Sequence, residues 1–173
     1  MGRGRSQFVG TAGQYYVAYC LSIREKHAVT TMGNAPDVDI IVAAPNGSKT
    51  LSIQVKTSRH AHRPNRYGYE LREWDVGPSA PDLAHDNLWY AFVDLQEEET
   101  QETPAWKPKV FLVPSRWVAN FVQKDWSRKM FLLRREAWPL CEEKWDRIDA
   151  YFRDEEETLK WCHNVPEEAK DWS

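Results

Sequence analysis

Between residues 10 and 26 the chain carries a helical pattern: Gln14, Val17, Ala18 and Leu21 fall at i, i+3, i+4 and i+7, one stripe of an amphipathic helix. Gly33-Asn34-Ala35-Pro36 interrupts it as a loop. Val38 to Ala44 is then almost wholly apolar, as a buried strand is. Pro45-Asn46-Gly47-Ser48 has the chemistry of a hairpin turn. From Thr50 to Thr57 the apolar Leu51, Ile53 and Val55 alternate with Ser52, Gln54 and Lys56. A hairpin of two strands, 38–44 and 50–57, is the clearest element the pattern predicts.

Downstream, residues 58–66 read as a basic loop and Tyr67 to Val76 as a strand. Gly77 to Asp86 reads as a connection, and Leu88 to Leu95 as a buried strand. Gln96 to Pro104, with Glu97-Glu98-Glu99, reads as a solvated acidic loop, and Val110 to Val113 as a short strand. Ser115, following Pro114, is placed to cap a helix from Arg116 to Gln123. Leu140, Trp145, Ile148 and Phe152 have helical spacing within 139–162. A helix, a run of strands and then helices predict an α/β sandwich built on a mixed sheet. At 173 residues with no dividing linker, one domain is expected: a core over about 7–123 and a C-terminal helical extension over about 124–173.

Composition narrows the class. No run approaches the about 18 apolar residues of a membrane span, and no apolar segment follows Arg3 and Arg5 as it would in a signal peptide. The three cysteines, Cys20, Cys141 and Cys162, are odd in number and lack zinc spacing, which predicts reduced thiols and a cytoplasmic protein. Nine tryptophans are expected mainly in packing, although a base-stacking role for some of them stays open. The net charge of −3 argues against a general electrostatic grip on nucleic acid, but its distribution is uneven. Residues 1–75 hold 10 Lys/Arg against 6 Asp/Glu, and residues 76–173 hold 13 against 20. The stretch 49–72 contains Lys49, Lys56, Arg59, Arg63, Arg66 and Arg72 against Glu70 alone. Arg59, Arg63, Arg66, His60 and His62 are therefore the candidates for backbone phosphate contacts.

The hairpin itself carries the chemistry. Gln54 and Lys56 are two apart and share a strand face. An antiparallel turn at Asn46-Gly47 brings Asp39 opposite them, so a carboxylate, an amide oxygen and an ammonium converge. Oxygen ligands suit a hard divalent ion such as Mg²⁺, with the Val55 carbonyl able to contribute, and a lysine can orient a water and stabilise a phosphorane-like transition state. Ser115 lacks a Gly-x-Ser-x-Gly setting and reads as a helix cap, not a nucleophile. His60 and His62 lack a third ligand at zinc spacing.

Three segments, Gly10-Thr11-Ala12-Gly13-Gln14, Asp37-Val38-Asp39-Ile40-Ile41 and Ile53-Gln54-Val55-Lys56-Thr57, together resemble the PD-(D/E)xK nuclease superfamily in a QxK form. The resemblance covers roughly residues 7–60. It implies a restriction-endonuclease-like fold, a central mixed sheet flanked by helices, and Mg²⁺- or Mn²⁺-dependent hydrolysis of DNA, with RNA left open. By that resemblance Asp39 and Gln54 hold metal with Val55, Asp37 and Gln14, and Lys56 is the catalytic lysine. Homodimers are common among such nucleases. The chain departs from the pattern at two places, Gln54 for the middle acid and Gln14 for the helix Glu. A catalytically degenerate member of the fold, acting as a DNA-binding or protein-interaction module, is accordingly the alternative.

Overall fold

The computed structural model describes residues 3–31, 37–96, 107–122, 125 and 127–166. Helix α1 (Arg3–Ser22) leads into β1 (His27–Thr30), β2 (Ile40–Ala43) and β3 (Thr50–Ser58). A second group, β4 (His62–Arg66) and β5 (Tyr69–Asp75), precedes β6 (Leu88–Asp94) and β7 (Lys109–Pro114). Then come α2 (Ser115–Phe121), β8 (Met130–Arg134), α3 (Trp138–Cys141), α4 (Asp146–Phe152) and α5 (Glu156–His163). Five strands form one mixed sheet in the order β1-β2-β3-β6-β7, and three form a second in the order β4-β5-β8. In the larger sheet β1, β2 and β3 are an antiparallel meander, β6 runs parallel to β3, and β7 is antiparallel to β6.

The hairpin forms where the turn residues place it. Gly47 takes φ +69°, a left-handed conformation that costs glycine little. Ala44 N–H donates to Lys49 O at 2.9 Å, and the Asn46 side chain accepts from Ser48 N–H at 3.0 Å. The resulting register pairs Ile40 with Ile53 and Val42 with Leu51, so all four bury on one face. That face is covered by α1, through Val17 and Leu21, and by the C-terminal helices, where Trp89 of β6 packs edge-on against Tyr151 and Trp161. All seven residues of β6 are buried, as expected of a strand paired on both sides and covered on both faces.

The opposite face is covered over β6 and β7 by the second sheet. Trp74 of β5 lies 5.0 Å from Phe92 and 5.7 Å from Phe111, and Phe131 of β8 stacks on Phe92 at 4.7 Å. Arg72, two residues from Trp74 and on the same face, meets Asp94 inside this layer at 3.0 Å and stacks on Trp138 at 3.8 Å. The molecule is thus layered as helices, five-stranded sheet and three-stranded sheet.

This modifies several sequence expectations. The central sheet is mixed, but its second face is covered mainly by another sheet, with Trp138 of α3 at its edge against Phe111. The basic loop of 58–66 is in part the strand β4, held by β5 with a register shift between Arg63 and Arg66 where Pro64 sits. The C-terminal extension contains β8, so it is not purely helical. The helix expected over 139–162 is three short ones, because Glu143 and Asp154 adopt positive φ between them. Helix α1 stops short of residue 26: Lys26 N–H donates to Leu21 O and Glu25 N–H to Ser22 O around a left-handed Glu25, a Schellman C-cap without its usual glycine. The loop at 33–36, the acidic segment from Glu97 to Pro104 and the end of the 116–123 helix at Gln123 lie outside the described residues.

Among the described residues no helix is long and apolar enough to cross a membrane. All three cysteines are buried and unbridged. Burial pushes the Cys162 thiol up to about 11 and that of Cys141 up to about 12, so both stay protonated at neutral pH.

Candidate active site

Asp39 sits one residue before β2. Its N–H donates to Ile53 O at 2.9 Å, although Ile53 is already the register partner of Ile40, so two residues here face one on β3 as in a β-bulge. The strand ladder ends there, and the side chain takes over from the backbone: Asp39 Oδ2 accepts the Val55 N–H at 2.7 Å. Asp39 Oδ1 takes no hydrogen bond from a described residue. In an extended strand the N–H and C=O of one residue point to the same side, so the Val55 carbonyl also faces the β2 side.

Lys56 lies two residues further along β3 and is held out of bulk water by the segment that follows β5. Gly77, at φ +83°, passes so close that a β-carbon on it would stand 3.8 Å from Lys56 Nζ. Ser79 Oγ donates to Asp37 Oδ1 at 2.8 Å, tying the same segment to the residue three before the strand. Burial lowers the Lys56 pKa below the ordinary lysine value. The charges of Asp39, Asp37 and Asp75 act against this, Asp39 most strongly. The structure therefore brings Asp37, Asp39 and Lys56 to one place and adds Asp75 and Ser79, which the sequence pattern did not single out. Asp37 holds a left-handed backbone at φ +64°, which an aspartate tolerates better than most residues.

Gln54 is 7% exposed and its Oε1 is enclosed without a hydrogen-bond partner. Its register partner on β6 is Tyr90, fully buried, whose hydroxyl is likewise without a partner. Tyr90 was missed because it lies inside the apolar run 88–95, where an aromatic reads as packing, and its ring does stack on Phe92 at 5.4 Å. Gln14 reaches Asp39, but through its nitrogen: Nε2 donates to the Asp39 backbone carbonyl at 3.1 Å. Its inward-pointing amide thus has the partner that burial demands, and that partner is main chain. Close approach of α1 to β3 makes this reach possible. A β-carbon on Gly13 would lie 1.8 Å from Thr57 Oγ1 and 2.9 Å from Thr57 Cβ.

The basic stretch is largely spent inside the protein. Arg63 Nε and Arg66 both pair with Glu73, at 2.9 and 2.7 Å. His62 contacts Glu70 at 3.0 Å, Lys49 pairs with Asp154 at 2.7 Å, and Arg72 is buried against Asp94. Arg59 and His60 are exposed, in the connection from β3 to β4. Glu70 and Glu73 on β5 and the distant acids Asp94 and Asp154 supply these partners, which is why the local excess of Lys/Arg overstated the free positive surface. Ser115 is fully buried and exchanges hydrogen bonds with the backbone of His85, through Oγ to His85 O at 2.8 Å and from His85 N–H at 3.0 Å. It is a tether between loop and helix, neither the helix cap nor a nucleophile. Trp74, Trp89, Trp117, Trp145 and Trp161 are buried and Trp138 is half-buried, so none of these offers a stacking surface.

Chemically, the arrangement offers one carboxylate oxygen without a partner, a second carboxylate at Asp37, carbonyl-type oxygens from Gln54 and Val55, and a desolvated lysine. Among the described residues no group of three His, Cys, Asp or Glu side chains is arranged to hold a metal. A Mg²⁺ here would have few protein ligands and would keep most of its hydration shell, as Mg²⁺ commonly does. A cleft of about 420 Å³ lies elsewhere, between α1 and the start of β7, lined by Tyr16, Tyr19, Cys20, Arg24, Lys107 and Glu143. It contains none of Asp37, Asp39, Gln54, Lys56 and Gln14. Comparison of the chain with protein-family models, with curated proteins and with solved structures finds no match.

Proposed function

We propose that the chain is a divalent-metal-dependent nuclease of restriction-endonuclease-like type, hydrolysing DNA phosphodiester bonds at Asp39, Gln54 and Lys56. The observation that carries this reading is a half-buried lysine on β3, covered by Gly77, beside the Asp39 carboxylate that accepts the N–H of the preceding residue Val55. A buried ammonium is costly to keep unless its charge is used or paired. A site that sets it in the field of two aspartates and leaves Asp39 Oδ1 without a hydrogen bond has the components for phosphoryl chemistry. The mixed sheet with α1 on one face is the arrangement this reading expects.

The donor set fits a hard cation: Asp39 Oδ1 and the amide oxygen of Gln54 are both oxygen acceptors lacking donors. Asp39 and Gln54 would hold the ion, with Asp37 and the Val55 carbonyl beside them. When bound, the ion would supply Lewis-acid stabilisation of the charge developing on phosphate. Lys56 supplies a second positive charge at the same point. Its lowered pKa raises the fraction able to accept a proton from an attacking water near neutral pH.

A second reading is favoured by one observation. Asp39 Oδ2 is already committed to the Val55 N–H, so the site has less carboxylate to offer than a two-acid centre. On that reading the protein binds DNA or a partner protein without cutting. Incubating supercoiled plasmid and branched DNA with Mg²⁺ or Mn²⁺ separates the two. The nuclease reading expects cleavage that requires metal and is lost in Lys56→Ala and Asp39→Ala. Binding without cleavage under every metal tested moves the assignment to the second reading. No binding even at low salt, where phosphate contacts are strongest, removes both.

A further inference from the structure

Helix α1 is apolar on both sides. Its inner side seats Val17, Cys20 and Leu21 in the core. Its outer side carries Phe8, Tyr15 and Tyr19, and Ile23 prolongs the row in the turn where its N–H donates to Tyr19 O at 3.0 Å. These four side chains stand 76, 67, 58 and 57% exposed. At 3.6 residues per turn they share one stripe with the exposed Ala12, about 22 Å from end to end. From Ser6 to Ile23 the chain has no Asp, Glu, Lys or Arg, although a surface helix ordinarily turns charge to water. A helix that is apolar all round belongs in an interior, and this one has only one side inside.

We infer that the outer stripe of α1 is the interface between two copies of this chain, with the two helices antiparallel about a two-fold axis between Tyr15 and Tyr16. The occupant follows from the chemistry of the stripe. A charged surface laid on it would lose its water and gain no ion pair. A second stripe brings uncharged aromatic surface, the composition of a homodimer core. With about 150–250 Å² to a whole aromatic side chain, the four side chains leave about 500 Å² open on each copy. A pair therefore buries about 1,000 Å² from them alone, which is where specific interfaces begin, before the flanking residues add to it. Shape sets the direction. Ala12 is the low point between the rings of Phe8 and Tyr15, and two-fold contacts are reciprocal. Antiparallel helices set Tyr19 over the partner's Ala12 and Phe8 against the partner's Ile23. Parallel helices would put ring on ring and leave a gap between the two alanines. The antiparallel sense also brings each helix N-terminus beside the partner's C-terminus, where the dipoles attract. The interface uses none of Asp39, Gln54 and Lys56, so it stands whether or not the chain is a nuclease.

The test is sedimentation velocity of the full chain over a concentration series, with circular dichroism as the check on folding. The wild type is expected to dimerise. Ala12→Glu is expected to keep the fold, since glutamate suits an exposed helix position, and to weaken pairing about a hundredfold or more by burying a carboxylate. Tyr15→Glu is expected to do the same, and Gln7→Glu, about 100° round the helix from Phe8, to leave pairing unchanged. A nitroxide on Gln7→Cys reads the direction, because the three native thiols are buried. Antiparallel helices hold the two labelled positions more than about 25 Å apart, and parallel ones hold them about 10 Å apart. A short distance overturns the arrangement. A dimer that survives both Ala12→Glu and Tyr15→Glu has its interface elsewhere and overturns the inference. So does a wild type that stays monomeric throughout: tyrosines 15 and 19 that then resist nitration would show another segment of the chain over the stripe, and reactive ones a stripe left open.

Discussion

At the scale of single residues, the account turns on Lys56. Burial lowers its pKa in the folded protein relative to the unfolded chain, and the carboxylates, Asp39 first, resist that shift. The folded state thus binds the proton less tightly than the unfolded state does. The charged lysine is a cost to stability that is fully present below the folded pKa and is released as pH rises through it toward the unfolded value. Stability is therefore expected to climb with pH on the alkaline side in the wild type and to climb less in Lys56→Met, as measured by chemical denaturation over a pH series. A wild-type slope equal to that of the variant would contradict the burial of this charge. Removing the strongest opposing charge with Asp39→Asn is expected to lower the Lys56 pKa further, which NMR titration of a labelled Nζ can read. The sequence made Asp39, Asp37, Gln54 and Lys56 legible because strand alternation and a two-residue turn fix which side chains can meet. It left Tyr90, Ser79 and Asp75 hidden, because their positions depend on how distant segments cross.

At the scale of elements, the contact between α1 and β3 decides whether the site keeps its shape. Gly13 lets the helix come close enough for Gln14 to reach the Asp39 carbonyl, and every rotamer of Thr57 leaves its Cβ within 2.9 Å of an added methyl. Gly13→Ala gains up to about 1 kcal/mol of helix propensity, but overpacking of this kind costs about 1–3 kcal/mol. Net destabilisation is expected in urea denaturation, and it should shrink in the Gly13→Ala/Thr57→Ser double variant, which removes one of the clashing atoms. A Gly13→Ala protein more stable than the wild type would show that helix and strand are not in such contact. The hairpin was legible from its turn residues and alternation. The short edge strand β1 and the strand β8 were not. Four or five residues carry too little periodicity to stand out, and their strand state comes from pairing with β2 and β5.

At the scale of the whole molecule, two sheets are joined through a buried ion pair inside an aromatic layer. Asp94, 1% exposed, accepts from Arg72 at 3.0 Å and from the N–H groups of Ala61 and Gln96, each at 3.1 Å. Removing one partner of a buried pair strands the other charge, so Asp94→Ala is expected to cost about 3–5 kcal/mol in denaturant unfolding. A loss under about 1 kcal/mol would mean that the pair is not sealed from water, since exposed pairs are worth no more than that. The sequence pointed to the mixed central sheet but not to the second sheet over it. Arg63 and Arg72 read as part of a basic stretch, and only the fold shows that Glu73 and Asp94 take up their charge. The central claim, that this layered frame holds a metal-dependent hydrolytic site, meets its most direct test in one measurement: the rate of phosphodiester cleavage as Mg²⁺ or Mn²⁺ is titrated into the wild type, Asp39→Asn and Lys56→Met. The account predicts saturable, metal-dependent cleavage by the wild type. It predicts a loss of about a hundredfold or more in Lys56→Met, and in Asp39→Asn a metal requirement shifted to higher concentration. Cleavage unchanged by either substitution in variants that remain folded, or none at any metal concentration in the wild type, would contradict it.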